Sequence, residues 1–591
     1  MKNKVLLTLF LLLFQAALYG QQYYVATNGD DANPGTFEQP FATIDFGISQ
    51  LSSGDSLTIR GGVYREGITN LDVSNVTIEA YGQEYVEING LKELTGTWIN
   101  DGNGIWKINV GTEVTGVDPD FLKNCFQVFI DRKPLVDAQF PNVDAEDIFT
   151  RNAWSRADQG SAIDALIDAD IAGQFTAAEV EGAIVQLNVL HQYFTWSRRV
   201  DNFNPSTGQI DYLLSNTMEQ RFLTGNYWTH PDRYADDYYY LVGKKAFLDY
   251  PGEYFYDTLS HDLFVYPPAG VDLNSADVEI RYHPFGMKGK LNNSTVKNLT
   301  FFGTAFEFTG QSVNHVIDGC ALRYPNYTRW IFEGNAVPHP YPNARIAPKV
   351  VGRDFTIKNM YMAHAWGAGF AASSASGNTH SRVDNCIIHD AGTSGSLREK
   401  GLTIFVVSGV GEANRVTLFN TGNVGMDLLG DKNGGGHFLS QYNHLYNNGL
   451  LSHDVTSMYT AGSRSYKGRM THNWIHDNHA ELGAIAIRAD EDGAEGLTVD
   501  HNVMWNIGNT PASINGMKGI IVKGQNHQVY NNTTFNVQNN DIVIRQSYSG
   551  ENADTYVYNN LTKEFTSKAE VNRAVTNIRG FEGNYEYPGP V

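Results

Sequence analysis

Cysteine is nearly absent from this chain: three residues in 591, Cys125, Cys320 and Cys386. An odd, sparse set cannot staple a domain of this size, so stability must come from buried area. Cys320 in IDGCALR and Cys386 in DNCIIHD read as small core residues. Basic charge is also short, with 43 Lys and Arg against 64 Asp and Glu and a net charge of −21. That balance excludes nucleic acid and anionic membrane as partners. A tight metal motif such as HExxH is missing. Long apolar runs are missing too, except at the very start. There, Met-Lys-Asn-Lys is followed by Val5 to Phe14 and by the small residues Ala16, Ala17 and Gly20. This is the order of a secretory signal peptide, too short to span a bilayer. The expected mature start lies near Gln21, giving a secreted or periplasmic protein with no membrane span.

What is present is a repeat. Asn443, Asn473, Asn502, Asn532 and Asn560 follow one another at intervals of 30, 29, 30 and 28 residues. Their settings are QYNHLYN, THNWIHD, DHNVMWN, YNNTTFN and YNNLTKE. A period of this size marks stacked units that cannot bury their apolar faces alone. Between the asparagines lie short alternating segments, AIAIRAD, GIIVKG and DIVIRQ, which are strands and not helices. The predicted fold is all-β, a right-handed parallel β-helix with a β-rich insertion. Stacked asparagines roughly 4.8 Å apart should bond amide to amide, which makes the ladder structural.

The expected organisation is a signal peptide at 1–20, the first turns at 21–95, an inserted subdomain at 96–283, the main β-helix at 284–563, and a tail or cap at 564–591. Periodicity fades near Thr95 and returns near Val296. The interrupted region includes a helix-prone stretch, SAIDALIDADIAGQF, and the β-rich KKAFLDYPGEYFYDTLSHDLFVYPP.

The opening YYVATNGDDANPGTFEQPFATI, the segments QVFIDRKPLVDAQFPN and FLDYPGEYFYDTLSHDLFVYPP, and the repeats from SHDVTSMYTAG to VYNNTTFN resemble the secreted right-handed parallel β-helix glycoside hydrolases. That group includes xylanase and α-L-fucosidase members. The resemblance covers most of the chain and implies hydrolysis of a plant or algal polysaccharide by paired carboxylates. The opening motif also occurs in polysaccharide lyases of the same fold.

Aligning the repeats on their asparagines stacks GMDLLGD, TSMYTAG, AIAIRAD, GIIVKGQ and DIVIRQS. Strict alternation then predicts Met426, Leu428, Ser457, Tyr459, Ile485 and Ile487 inward, with Ile520, Val522, Ile542 and Ile544 continuing the same face. Asp427, Asp431, Met458, Thr460, Arg488, Asp490, Lys523, Gln525, Arg545 and Ser547 point outward. Arg488, Lys523 and Arg545 would form a basic column suited to a sulfate or uronate, or to pairing with acids such as Asp490. Glycosidic cleavage takes two carboxyl groups, about 5–5.5 Å apart for retention and about 6.5–9.5 Å for inversion. The candidates are Asp454 with Asp490 or Asp492, and Glu481 in reserve; one protonates the leaving oxygen and the other activates water or attacks carbon. His453, Arg488, Lys523, Arg545, Thr460 and Gln525 are the candidate substrate-binding residues. Trp196, Trp228 and Tyr238 to Tyr240 of the insertion are expected to wall the cleft.

His444, His472, His476 and His501 lie near the ladder with Asp477 and Asp500, but polar stacking in the wall explains them and no metal site is assigned. Calcium at Asp490-Glu491-Asp492-Gly493 is conceivable, although that turn lacks the alternation of a calcium loop. No cofactor is required. The partner is a polysaccharide or oligosaccharide, and the protein a monomer. Two other functions fit the same residues. One is a lyase acting by β-elimination on a uronate polymer, with Lys523, Arg488 or Tyr459 as base. The other is a non-catalytic carbohydrate-binding solenoid, against which the long interruption counts.

Overall fold

The computed structural model describes residues 20–162, 164–188, 195–213, 238–330, 348–374, 377, 379–393, 395, 400–452, 455–478, 484–491, 493–508, 517–545, 552–563, 565–566 and 585–586. Three long parallel sheets of 13, 13 and 12 strands run through the chain. Each turn supplies one strand to each sheet in a fixed order. In one turn these are Thr498–Asp500, Val503–Ile507 and Lys518–Lys523. This is a parallel β-helix. Its main core is a continuous apolar column from Val25 to Val557, including Ile78, Phe306, Leu418, Met458 and Ile487.

The corner between first and second sheets explains the asparagine spacing. The residue ahead of each ladder position adopts a left-handed backbone, with φ of 58° at Tyr442, 55° at His472, 56° at His501 and Asn531, and 55° at Asn559. The following asparagine is then aimed inward, where its amide must find partners. It finds the next asparagine. Nδ2 of Asn443, Asn473, Asn502 and Asn532 donates to Oδ1 one turn on, at 2.9, 2.9, 3.0 and 3.0 Å. Earlier turns place Cys320, Cys386 and Val416 at the equivalent corner, and the Val416 amide donates to Asn443 Oδ1 at 2.8 Å. All three cysteines are buried.

The chain leaves the helix after Val86–Asn89 and rejoins it at Phe285–Asn292. The excursion therefore begins by Leu91, ahead of residue 96. It folds into sheets of four, five and seven strands around its own apolar clusters. The helix-prone stretch at 161–175 is instead a strand, Ala165–Ile167, and a 3-10 turn, Ala169–Ile171, whose N-cap is Asp168. Pairing of Leu166 with Ile210 overrides the local helix preference. Two arginines fasten the excursion to the helix. Fully buried Arg281 donates to Gln127 Oε1 and to the Gly303 and Tyr324 carbonyls at 2.7 Å each. Arg329 pairs with Asp137, which also accepts from Tyr327 Oη at 3.0 Å.

Residues 1–19 lie outside the described part, as does most of 564–591 apart from short strands at 565–566 and 585–586. Among the described residues no helix is long and apolar enough to cross a membrane.

Candidate active site

The third sheet carries the charged face. Its strands Met426–Leu429, Val455–Ala461, Ala484–Asp490, Lys518–Lys523 and Asn540–Arg545 stack in register. Asp427 sits beside Tyr459, Tyr459 beside Arg488, Arg488 beside Ile521, and Ile521 beside Val543. A neighbouring column holds Ala461, Asp490, Lys523 and Arg545.

This register corrects several sequence expectations. Met458 is in the main core and Thr460 is fully buried beside the core residue Ala489, so neither faces a substrate. Tyr459, expected inward, stands between outward Asp427 and Arg488. Ile485 belongs to a small separate apolar cluster with Ile521 and Val543 rather than to the main core. The cause is local: Ala484, Ala486, Ile487 and Ala489 all join the core, so two consecutive residues face inward and strict alternation breaks. The basic column is also redrawn, because Arg488 stands one column away and Asp490 takes its place next to Lys523.

Asp490 is the centre of the arrangement. It is only 7% exposed, accepts the Arg488 guanidinium at 2.6 Å, and holds the Lys523 ammonium in an ion pair. Burial would raise its carboxyl, yet Arg488 and Lys523 hold it well below the usual carboxylate range. Lys523 is pushed down by burial and by Arg488, against the pull of Asp490. Tyr459 is pushed well above the usual phenol value by burial and then by Asp490. Asp427 pairs with Lys400, whose ammonium lies 5.7 Å from the centre of the Tyr459 ring. The result is an ionised Asp490, a neutral phenol and three ion pairs on one face. Two cations on Asp490 also oppose a calcium ion at that carboxylate.

Asp454, Asp492, Glu481 and His453 lie outside the described residues, as do Trp228 and Ser547. Gln525 is exposed at the corner beyond Lys523 and reaches Glu495 at 3.4 Å. Arg545 is half-buried at the end of its strand. Asp431 accepts from the Asn433 amide at 3.0 Å, a turn role. Trp196 and Tyr239 are core residues of the insertion and Tyr240 is 7% exposed, so these three form no cleft wall. The insertion does approach this face. Arg151 donates to the Leu451 carbonyl at 2.5 Å and to Asn188 at 3.1 Å, which fixes it beside the turn that leads into Val455–Ala461.

Asp427 and Lys400 are not among the expected catalytic or binding residues, and Tyr459 is expected only as a base of the lyase alternative. Asp427 was legible as outward; Tyr459 was lost to the one-residue register error, and Lys400 precedes its strand without periodic signal. The histidines separate into two groups. His472, Asp500 and His501 offer ligand atoms within 4.8 Å of one another, but Asp500 already accepts from Arg469 through both oxygens at 2.8 Å. His444 and His476 form the other group, on the second sheet.

No family model matches the chain. The uncharacterized protein YwoF of Bacillus subtilis (strain 168) is 35% identical over 75 residues, which is 12% of this chain and 16% of that protein. The match thus spans about one sixth of the length of the curated relative. A solved structure described as a glycoside hydrolase aligns with a TM-score of 0.61 and 14% identity, over 86% of this chain and 97% of its own. A complex of XylC with xylose aligns at 0.36 and 13% identity, over 91% and 75% of the two chains. A lacto-N-biosidase from Eubacterium ramulus aligns at 0.31 and 13%, over 97% and 68%. The first of these likenesses shows a shared fold.

Proposed function

We propose that this protein is a secreted or periplasmic glycoside hydrolase whose polysaccharide substrate lies across the outer face of the third sheet. The observation that carries the reading is Asp490, a carboxylate kept ionised between Arg488 and Lys523 beside a neutral Tyr459. Clusters of perturbed ionisable groups on a concave or sheltered face are where acid–base chemistry is organised. An ionised Asp490 cannot donate the proton that the leaving oxygen needs; its role is nucleophile, base or electrostatic support. The proton donor is then sought among Asp454, Asp492 and Glu481, with Asp427 two turns away on the same face. The solved structure described as a glycoside hydrolase adds support through fold analogy alone. Arg545, half-buried at the end of its strand beside Lys523, makes sulfate- and uronate-bearing polymers the first anionic substrates to try.

One observation favours a second reading. Lys523 has a depressed ammonium, as a β-eliminating lyase base requires, whereas the raised Tyr459 phenol argues against that residue in the role. Incubation with neutral, sulfated and uronate polysaccharides, following reducing ends and the ultraviolet absorbance of unsaturated products, separates the two. Reducing ends without absorbance support hydrolysis. Reducing ends with absorbance overturn it in favour of the lyase.

A further inference from the structure

The outer face of the second sheet holds an imidazole pair that the carbohydrate reading does not use. His444 opens the strand His444–Asn448, and His476 lies in Trp474–Asn478 one turn on, in register with Tyr446. Their Nε2 atoms are 2.6 Å apart. His476 is fixed in place: its Nδ1 lies 2.6 Å from Asp477 Oδ2, and Asp477 Oδ1 accepts from Asn506 at 2.8 Å. Its ring is stacked between Tyr446 and Trp505, with centroids 5.3 and 4.2 Å away and planes within 8° and 12°.

A carboxylate at Nδ1 makes that nitrogen the N–H donor, which leaves the Nε2 lone pair of His476 turned toward His444. Two bare nitrogens would repel at 2.6 Å, so the contact holds one proton, which His444 Nε2 donates. A divalent metal ion can take the place of that proton. His444 then carries its N–H on Nδ1, no net proton is released, and two Nε2 lone pairs meet one ion. Tetrahedral ligation at ~2.0–2.1 Å from each nitrogen needs an N···N separation of ~3.3 Å, a small side-chain opening from the observed contact. A carboxylate on the far nitrogen is the support that orients metal-bound imidazoles and raises their basicity.

We propose that His444 and His476, with Asp477 as the positioning residue, form a site for a borderline divalent transition metal such as Zn²⁺, Cu²⁺ or Ni²⁺. Water completes the coordination. The site staples two successive turns of the helix, and it lies on a different sheet from the proposed cleft, so it stands or falls independently of the glycosidase reading. The His472, Asp500 and His501 group is the weaker alternative, because a cation there must displace Arg469.

The test is titration of chelator-treated full-length protein with Cu²⁺, followed by tryptophan fluorescence and then by Zn²⁺ competition. Trp505 against His476 and Trp474 beside His444 are placed to report occupancy. The expected result is one saturable equivalent, with quenching lost in His444→Ala. Asp477→Asn weakens binding ten- to a hundredfold with circular dichroism unchanged, and His472→Ala leaves it intact. Zn²⁺ raises the melting midpoint of the wild type and not of His444→Ala. Unaltered titrations in both His444→Ala and Asp477→Asn, loss of binding in His472→Ala, or no saturable binding at all would overturn the proposal.

Discussion

Asp490→Asn removes a carboxylate that pairs with both Arg488 and Lys523, and both cations are buried, at 7% and 3% exposure. Breaking one side of a buried pair leaves an uncompensated charge and costs ~3–5 kcal/mol. The amide keeps the shape, so packing contributes little to this loss. A bare loss of activity would therefore be ambiguous, since a destabilised cleft is inactive for trivial reasons. Adding Lys523→Met removes the excess charge: the double variant should regain most of the lost stability, because an apolar replacement of a buried pair is near neutral. Stability is read from denaturant midpoints and turnover from reducing ends at saturating polysaccharide. If Asp490 acts on the substrate, the double variant folds like the wild type and stays inactive. Recovery of turnover together with stability would show that Asp490 merely neutralises its neighbours, and would refute the assignment. Its depressed carboxyl contributes stability that is complete above the ordinary carboxylate range and is lost only as pH falls below it, so assays near neutrality carry no titration of this group.

Asn502→Ala removes donors to Asn532 Oδ1 and the Met470 carbonyl and the acceptor of the Asn473 amide; orphaning such buried groups costs ~3–5 kcal/mol in total, and a change under ~1 kcal/mol in urea unfolding would contradict the structural role of the ladder. His315 and His527 are each pushed down to about 4 by burial. Their unfolded value is the higher one, so their contribution is complete above about 6.5 and is lost as pH falls toward 4, up to ~3 kcal/mol each; His315→Leu should flatten this acid limb in a series of midpoints across pH. Glu253 runs the other way. Burial pushes it up to about 8, so its stabilisation is present at low pH and lost as pH rises from the ordinary carboxylate value through 8, up to ~5 kcal/mol. Glu253→Gln should remove the alkaline loss, seen as protection of insertion amides in hydrogen exchange at high pH.

The parts of this molecule that were legible in the sequence are those where a backbone requirement forces a residue type at a fixed interval. A left-handed residue followed by an inward amide recurs because the corner between two sheets demands it, so Asn443 to Asn560 disclosed period, architecture and ladder together. Cys320 and Cys386 were readable for the same reason, as apolar occupants of that corner. The face of the third sheet has no such anchor. Constant spacing from the ladder and strict alternation are the only guides the sequence offers there, and both fail where Ala486 and Ile487 both face the core. A slip of one residue exchanges the faces of a strand. That is why strict alternation turns Tyr459 inward and Met458 and Thr460 outward, against their observed faces, while Asp427, which precedes the slip, keeps its expected outward face. Asp490 survived because its strand carried an even error of two residues, which preserves face but shifts the neighbours. The basic column of Arg488, Lys523 and Arg545 was the consequence of that shift. Register error therefore damages the reading of a site more than the reading of a fold: the core tolerates an exchange between apolar neighbours, whereas the chemistry depends on which carboxylate sits beside which cation.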